Sequence, residues 1–539
     1  MIWFVRDFDL LSLLLRALSF ALEALAFGGI FFLAFVARPA RLAPEGQCRL
    51  RHIAAGFSLA LAIAQILIIA ATSAVLTGSS GMGMRDVVSA TYFVSGTVFV
   101  AAALALSVLL RVTSKLSVAF GAVLIALGAS VSLSHAASRM DHRPLLLILT
   151  AAHHLGMAAW LGALPFLIIA LKLADDSEVS RQMAGRFSTM AIVSVAMLVF
   201  AGVGLAWFYA GSWQGMYGTS YGLLLSAKIV LTALMLTLGA GNFFLVRRVE
   251  TDPGSLLFRL RRFSEAEIGL GFTVILAAAS LTAQSPSVDE TPQDILSGHQ
   301  VVERLEWRWP SFHTPALSQL APPTSLSVAV REATYTGGSV SDAYDRAWSE
   351  YNHHWAGLIV LAASALALIS RSPRHRWARH WPLLFLGLSI FILLRADPEC
   401  RPLGPRPFWA SFTAPDVLEH RLYAVLIAAF AIFEWGVETG WLRWPRARFV
   451  FPALCAAGGA LLLTHTHASG EGTDEVFAEL SHTPIALLGA VAGWGRWLEL
   501  RLGDSAAPVT NSRPRRIAGW VWPACLVLIG LLLLNYRES

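Results

Sequence analysis

Charge is scarce in this chain. Only 14% of its 539 residues are Asp, Glu, Lys or Arg, about half the share usual in soluble domains. Hydrophobic residues make up 56%, and apolar runs long enough to span a bilayer recur from end to end. That excludes a water-soluble globule, and it removes nucleic acid as the reading of the net charge of +6, because excess Lys and Arg in a membrane protein set orientation. Cysteine is also scarce. Cys48, Cys400, Cys455 and Cys525 form no C-x-x-C pair, so neither a disulfide framework nor a thiolate cluster is expected. Cys455 and Cys525 lie in apolar stretches and read as small core residues. The first residues, MIWFVRDFDLL, lack a basic lead-in, and the apolar run that follows to about residue 36 is too long for a signal-peptide core. It reads as a first span.

The pattern predicts an all-α polytopic membrane protein with about 14 transmembrane helices in two bundles. Spans are expected at 9–37, 52–77, 87–110, 116–136, 145–171, 187–210, 221–246 and 264–284, then at 351–370, 381–395, 417–437, 449–465, 482–496 and 517–535. The division is therefore an eight-span module over 1–285, an insert over 286–350 and a six-span module over 351–539. Within the insert, VVERLEWRWP and SLSVAVREATYTG read as short strands. Loops after odd-numbered spans, at 38–51, 111–115, 172–186, 247–262, 371–379, 443–448 and 496–516, hold 26 basic residues, against eight in the short segments on the other side. This bias puts the odd loops in the cytoplasm, and both termini and the insert outside.

On that topology, 12 of the 15 histidines lie outside or at outer helix ends, and only His52, His375 and His380 face the cytoplasm. His135 ends the fourth span. His153, Met157 and Trp160 follow at i, i+4 and i+7 on one face of the fifth. In the second module His353 or His354 opens one span, His420 opens another with Asp416 one turn before it, His465 and His467 close a third, and His482 opens a fourth. Glu471, Asp474, Glu475 and Glu479 in the adjoining loop would draw a cation there. Met82 and Met84 sit in a Gly-rich outer loop. Imidazole with thioether, and no clustered thiolate, suits copper, as Cu+ or Cu2+, on an oxidising face, and zinc also accepts such sites. The expected metal ligands are His135, His153, Met157, His353, His420, His465, His467 and His482. His142, His299 and His313 lie in polar segments and read as surface residues.

Ionisable residues inside spans are costly in lipid. Lys228 lies in the seventh span, and Arg16 and Glu23 share a face of the first and are expected to pair with each other or with a neighbouring helix. Glu267 and Glu434 fall near predicted cytoplasmic ends, where a side chain can reach the interface.

The run AAHHLGMAAWLGALPFL (151–167) resembles the histidine-plus-WLGGL helix of the copper resistance protein D (CopD) family. In that pattern the histidine precedes the tryptophan by seven positions, which selects His153 over His154. The runs RFSTMAIVSVAMLVFAGVGLAWF, TSYGLLLSAKIVLTALMLTLGAGNFFLVRR and LRRFSEAEIGLGFTVILAAASLTAQSP follow in the family's order. The resemblance covers about 1–285 and is most specific from 145 onward. Ala163 stands where the family usually has a second glycine, a difference expected to affect packing. The six-span part is similar to an extension carried by some CopD-like proteins. The resemblance implies an inner-membrane protein of copper uptake or tolerance, often paired with a small periplasmic copper-binding protein (CopC-like), with lipids as its other contacts.

A copper permease that captures the ion outside and imports it is therefore expected, with no enzymatic activity. Two rivals differ in class: a redox protein holding copper or haem b between histidines of different spans, and a copper receptor or assembly factor that transports nothing.

Overall fold

Lipid offers no hydrogen bonds, so a backbone within it must satisfy its own N–H and C=O groups, and a long apolar run does so as an α-helix. The computed structural model describes residues 8–78, 80–174, 176–246, 253–315, 340–398, 400–404, 406–409, 412, 415–464, 473–503 and 513–537. The helices are α1 (Phe8–Phe32), α2 (Pro44–Gly78), α3 (Met84–Ser89), α4 (Thr91–Val112), α5 (Leu116–Ser132), α6 (His135–Ser138), α7 (Arg143–Met157), α8 (Leu164–Leu173), α9 (Ser177–Ala210), α10 (Trp213–Tyr217), α11 (Ser220–Val246) and α12 (Pro253–Leu281). There follow α13 (Gly298–Leu305), α14 (Val340–Ser370), α15 (Pro382–Arg395), α16 (Pro415–Thr439), α17 (Val450–Leu462), α18 (Thr473–Gly503) and α19 (Arg513–Leu534). Among the described residues twelve stretches are helical, long and apolar enough to cross a membrane, and Leu116–Ser132 and Ala447–Leu462 are shorter apolar helices. The chain is an all-α polytopic membrane protein.

The strand expected at 301–310 does not form. Ser297 accepts a hydrogen bond from the Gln300 amide, and the Gln300 side chain reaches back to Ser297, a capping box that opens α13 instead. The other expected strand, 325–337, lies outside the described residues. Among the described residues the only β-pairing is a single bridge between Cys400 and Arg406.

The chain folds as two compact units, Met1–Met216 with Leu224–Glu290, and Tyr217–Leu223 with Thr291–Ser539. In the first, α1 and the α7–α8 segment form the interior: Ala26, Phe27, Ile30, Leu33, Ala163 and Phe166 are fully enclosed. Lipid gives no hydrophobic force between helices, so close packing relies on small residues. A Cβ on Gly162 would stand 1.9 Å from the Ala24 carbonyl oxygen, and one on Gly28 would stand 2.2 Å from the Gly162 carbonyl carbon. At this crossing α7 passes into a π-helical turn, Ala158–Gly162, before α8. Ala163 follows with ordinary helical angles and no exposed surface. The alanine that departs from the WLGGL pattern therefore fits, whereas Gly162 is required.

In the second unit Trp381, Phe385, Phe451 and Trp522 form the core, with Trp381 5.7 Å from both Phe451 and Trp522. Beyond it Arg496 pairs with Glu434, Glu438 and Glu499 at 2.9, 3.2 and 3.0 Å. Arg371 also holds Glu499, at 2.7 Å. Glu434 is wholly enclosed and Glu267 in the first unit is 2% exposed, so neither reaches for an interface.

Gly162→Ala is expected to loosen the α1–α7 crossing and lower stability by about 1–3 kcal/mol, the cost of overpacking. Gly121→Ala, whose added Cβ meets nothing within 4 Å, should leave the melting temperature in detergent unchanged. Equal melting temperatures for both variants would refute the packing argument.

Candidate functional site

The α7 segment of the first unit is studded with polar side chains, and each is joined to a different helix. Successive helical residues point about 100° apart, so His153 and His154 face different neighbours. His153 Nε2 lies 3.4 Å from Lys228 Nζ on α11. An ammonium group there opposes a second cation at the same nitrogen. His154 Nδ1 meets Glu23 Oε1 of α1 at 2.9 Å, and Ser130 Oγ of α5 donates to the other Glu23 oxygen at 2.8 Å. Two turns on, Trp160 Nε1 donates to Glu267 Oε1 of α12, and Asn242 Nδ2 of α11 donates to Glu267 Oε2, both at 2.9 Å. Glu23 thus pairs with His154, and Arg16 donates to the Thr282 carbonyl at 3.3 Å.

His135 Nε2 donates to the same Thr282 carbonyl, at 3.1 Å. With Ser138, Arg139, Gln284, Pro286 and Asp289 it lines an open cleft of about 260 Å³, crossed by the Arg139–Asp289 pair at 2.6 Å. His135 and His153, both expected metal ligands, are thus held by different partners. Met157 closes α7 immediately before the π turn, half-buried. Met82 and Met84 are exposed.

The second unit brings two of the expected ligands together. His353 of α14 and His482 of α18 have ring centroids 6.0 Å apart in an edge-to-face arrangement. The Tyr536 ring stacks on His353 at 3.7 Å. His353 Nδ1 donates to the Ser349 carbonyl and His482 Nδ1 to the Ala478 carbonyl, each at 2.8 Å. That tautomer puts the proton on Nδ1 and the lone pair on Nε2, as in metal-binding imidazoles held by a carbonyl. The neighbouring His354 is used otherwise. Its Nε2 donates to the Tyr536 carbonyl at 3.0 Å, and its Nδ1 accepts from the Ser311 amide at 3.1 Å, so it ties the chain end and the insert to α14. The insert is held further by Arg304, which stacks on Phe477 and donates to the Arg537 carbonyl.

His420 Nδ1 meets the Asp397 carboxylate at 2.7 Å, and the side chain of Asp416, the expected partner, lies outside what is described. Asp397 also faces the buried Arg421 at 3.6 Å. His465, His467 and Glu471 lie outside the described residues. Glu479 is enclosed and accepts from Thr483 at 2.6 Å, so it lends no surface charge to a cation path. Among the described residues, no group of three or more His, Cys, Asp or Glu side chains is placed to hold a metal ion. Sequence reasoning passed over the His154–Glu23–Ser130 and Trp160–Glu267–Asn242 contacts. The one available signal was the polar residues recurring along spans that are otherwise apolar.

Comparison with known proteins bears on the first unit. Residues 181–281, from α9 to the end of α12, match the family described as copper resistance protein D. The chain is thus a multi-pass membrane protein with a region similar to that family. It is also similar to the copper transport protein CutJ of Bacillus subtilis (strain 168), at 26% identity over 160 residues. The match spans 29% of this chain and 28% of that protein. No solved structure matches the chain.

Burial lowers the pKa of His135 from its ordinary value of 6.5, outweighing the Thr282 hydrogen bond. A depressed folded-state pKa means that the unfolded chain binds the proton more readily, so stability is present above 6.5 and is lost as pH falls through the folded value. Melting temperature should therefore fall on acidification below this point. His135→Asn, which keeps a donor for Thr282, should show a shallower fall. Identical pH profiles would refute the assignment.

Proposed function

We propose that the chain is a copper transport and handling protein of the bacterial inner membrane, without enzymatic activity, which captures copper on a histidine- and methionine-rich extracytoplasmic face and imports it. The observation that carries this reading is the His353–His482 pair, with both Nδ1 protons committed to backbone carbonyls. Neutral imidazoles presenting Nε2 are good ligands for copper in either oxidation state. His465 and His467, in the segment that joins α17 to α18, and His420 complete the proposed set in this unit. His135, His153 and Met157 are the proposed ligands of the first unit. The similarity to CutJ, a copper transport protein, supports the same reading.

The proposed orientation places both termini and the 286–350 insert outside. The arrangement of α14, α18 and α19 supports it. His353 and His482 lie in the first halves of α14 and α18 and Tyr536 follows α19, while Arg371, Arg496 and Glu499 lie at the opposite ends of the same helices. His353 and His482 thus lie toward one end of these helices and Arg371 and Arg496 toward the other, the end that the basic-loop bias makes cytoplasmic. A small periplasmic copper-binding protein, CopC-like, is the proposed donor.

Replacing His353 and His482 together by Ala should lower the copper bound per molecule of purified protein by about the occupancy of one site, with elution profile unchanged, since half-buried side chains off the main core add modestly to stability. Equal copper content in parent and variant would refute the site. A cysteine at Ser297 should react with a membrane-impermeant reagent applied to the periplasmic side. Reaction only after the cytoplasmic membrane is opened would reverse the orientation.

A further inference from the structure

Among the described residues Glu267 is a buried carboxylate of the first unit with no opposite charge beside it. It lies on α12 within the apolar stretch Phe258–Leu281, about 8 Å beyond Arg262 at the helical rise. It is 2% exposed. Its oxygens accept from Trp160 Nε1 and Asn242 Nδ2, two neutral donors, and among the described residues no Lys, Arg or His lies within ion-pair distance of it.

The charged groups on the elements around it are engaged elsewhere or distant. On α1, Glu23 holds His154 and Arg16 reaches the Thr282 carbonyl. On α11, Lys228 faces His153, and on α8, Lys172 lies in the last turn with its side chain exposed. On α12 itself, Arg262 pairs with Glu265 at 2.5 Å and Arg261 donates to the Leu171 carbonyl at 2.5 Å. A carboxylate so placed has neither water nor a counter-charge, the condition under which a group takes a proton.

Asn242 supplies the second observation. It is 8% exposed, and its Oδ1 is buried without a hydrogen-bond partner. A primary amide presents two donors on one side and an acceptor on the other. Facing a carboxylate it gives N–H, and turned over it can receive O–H from a carboxylic acid. Trp160, a donor only, serves the other oxygen in both states. A metal cation fits poorly, since one carboxylate and one amide oxygen fall short of the six or more oxygens that hard cations gather.

We propose that Glu267 is a proton-binding site in the membrane interior of the first unit, with the Asn242 amide turning over to serve the ionised and the protonated carboxyl. A proton drawn from water adds to Glu267 Oε2, and the acid then donates it to Asn242 Oδ1. On release the amide turns back and its N–H returns to the carboxylate. The site rests on the membrane-spanning fold and on no copper ligand.

The test is infrared spectroscopy of the metal-free, full-length protein in lipid, titrated with pH. The parent should show a protonated-carboxyl C=O band that appears reversibly on acidification, and Glu267→Gln should lose that band. In Asn242→Ala, which removes a donor to the carboxylate, the band should persist to higher pH. A Glu267 band of constant intensity across the titration would overturn the proposal, because the group would then be locked neutral. Identical titrating spectra in the parent and Glu267→Gln would overturn it equally, because Glu267 would then contribute no proton. No copper is present, so either failure leaves the copper reading standing, and a failure of copper binding leaves this site standing.

Discussion

Side chains that leave water for lipid must find their hydrogen bonds on other helices, and in this protein that requirement determines which helices meet. The α7 segment would be a poor lipid-facing helix, because His153, His154 and Trp160 all carry polar atoms. Each meets a different neighbour: Lys228 of α11, Glu23 of α1 and Glu267 of α12. The same segment makes the closest backbone approach in the unit, where Gly28 and Gly162 leave no room for a Cβ. Dispersion at the glycine crossing and hydrogen bonding along the polar spine therefore act on one helix. That accounts for its place in the interior, while α9 lies largely at the periphery.

The contacts also fix direction. His153 precedes Trp160 on α7, and on α11 Lys228, beside His153, precedes Gly239, where an added Cβ would lie 3.9 Å from the Trp160 ring, so the two helices run parallel. In the second unit the start of α14 meets the end of α15 through Trp348 and Asn352, which donate to the Arg395 carbonyl. The start of α16 meets that same end through His420 and Asp397. The end of α16 meets the end of α18 through Glu434 and Arg496. Since α16 and α18 are parallel, α17 must return the chain between them, although it is only 13 residues long. A short apolar helix carries out a full reversal here, and the small residues at its crossing, Gly459 against Gly489 and Ala490, let it lie deep between its neighbours.

The spans were legible because apolar length is a one-dimensional property, and the histidine-rich end was legible because basic loops report sidedness. Pairing was not, since partners stand far apart in sequence: Glu23 and His154 by 131 positions, Arg496 and Glu434 by 62. The misreading of Glu267 has a definite cause. A start at 264 puts the carboxylate one turn from the interface, within its reach, whereas Trp160 and Asn242, distant in sequence, turn it inward. In the insert, β-prone residues at 301–310 lost to local chemistry, because the Ser297–Gln300 capping box satisfies the first amides of a helix. The choice of His353 over His354 depended on the fold: both ring nitrogens of His354 are taken by backbone groups of the insert and the chain end, and neither lies near it in sequence.

Burial of charge takes two forms in this molecule, and the difference bears on function. In the second unit three carboxylates gather around two guanidinium groups, with Trp522 Nε1 adding a hydrogen bond to Glu499. Such a network costs more in lost hydration than isolated pairs return, and it holds because Arg496 answers three carboxylates and Glu499 meets both guanidinium groups. Removing any member leaves an uncompensated charge, which suits a group that fixes helix positions and changes little. Glu267 in the first unit has only neutral donors, one of them an amide that can reverse its polarity. Its charge is free to change without stranding a partner ion. A structural brace and a titrating group make opposite demands on their surroundings, and this protein builds both kinds from glutamate.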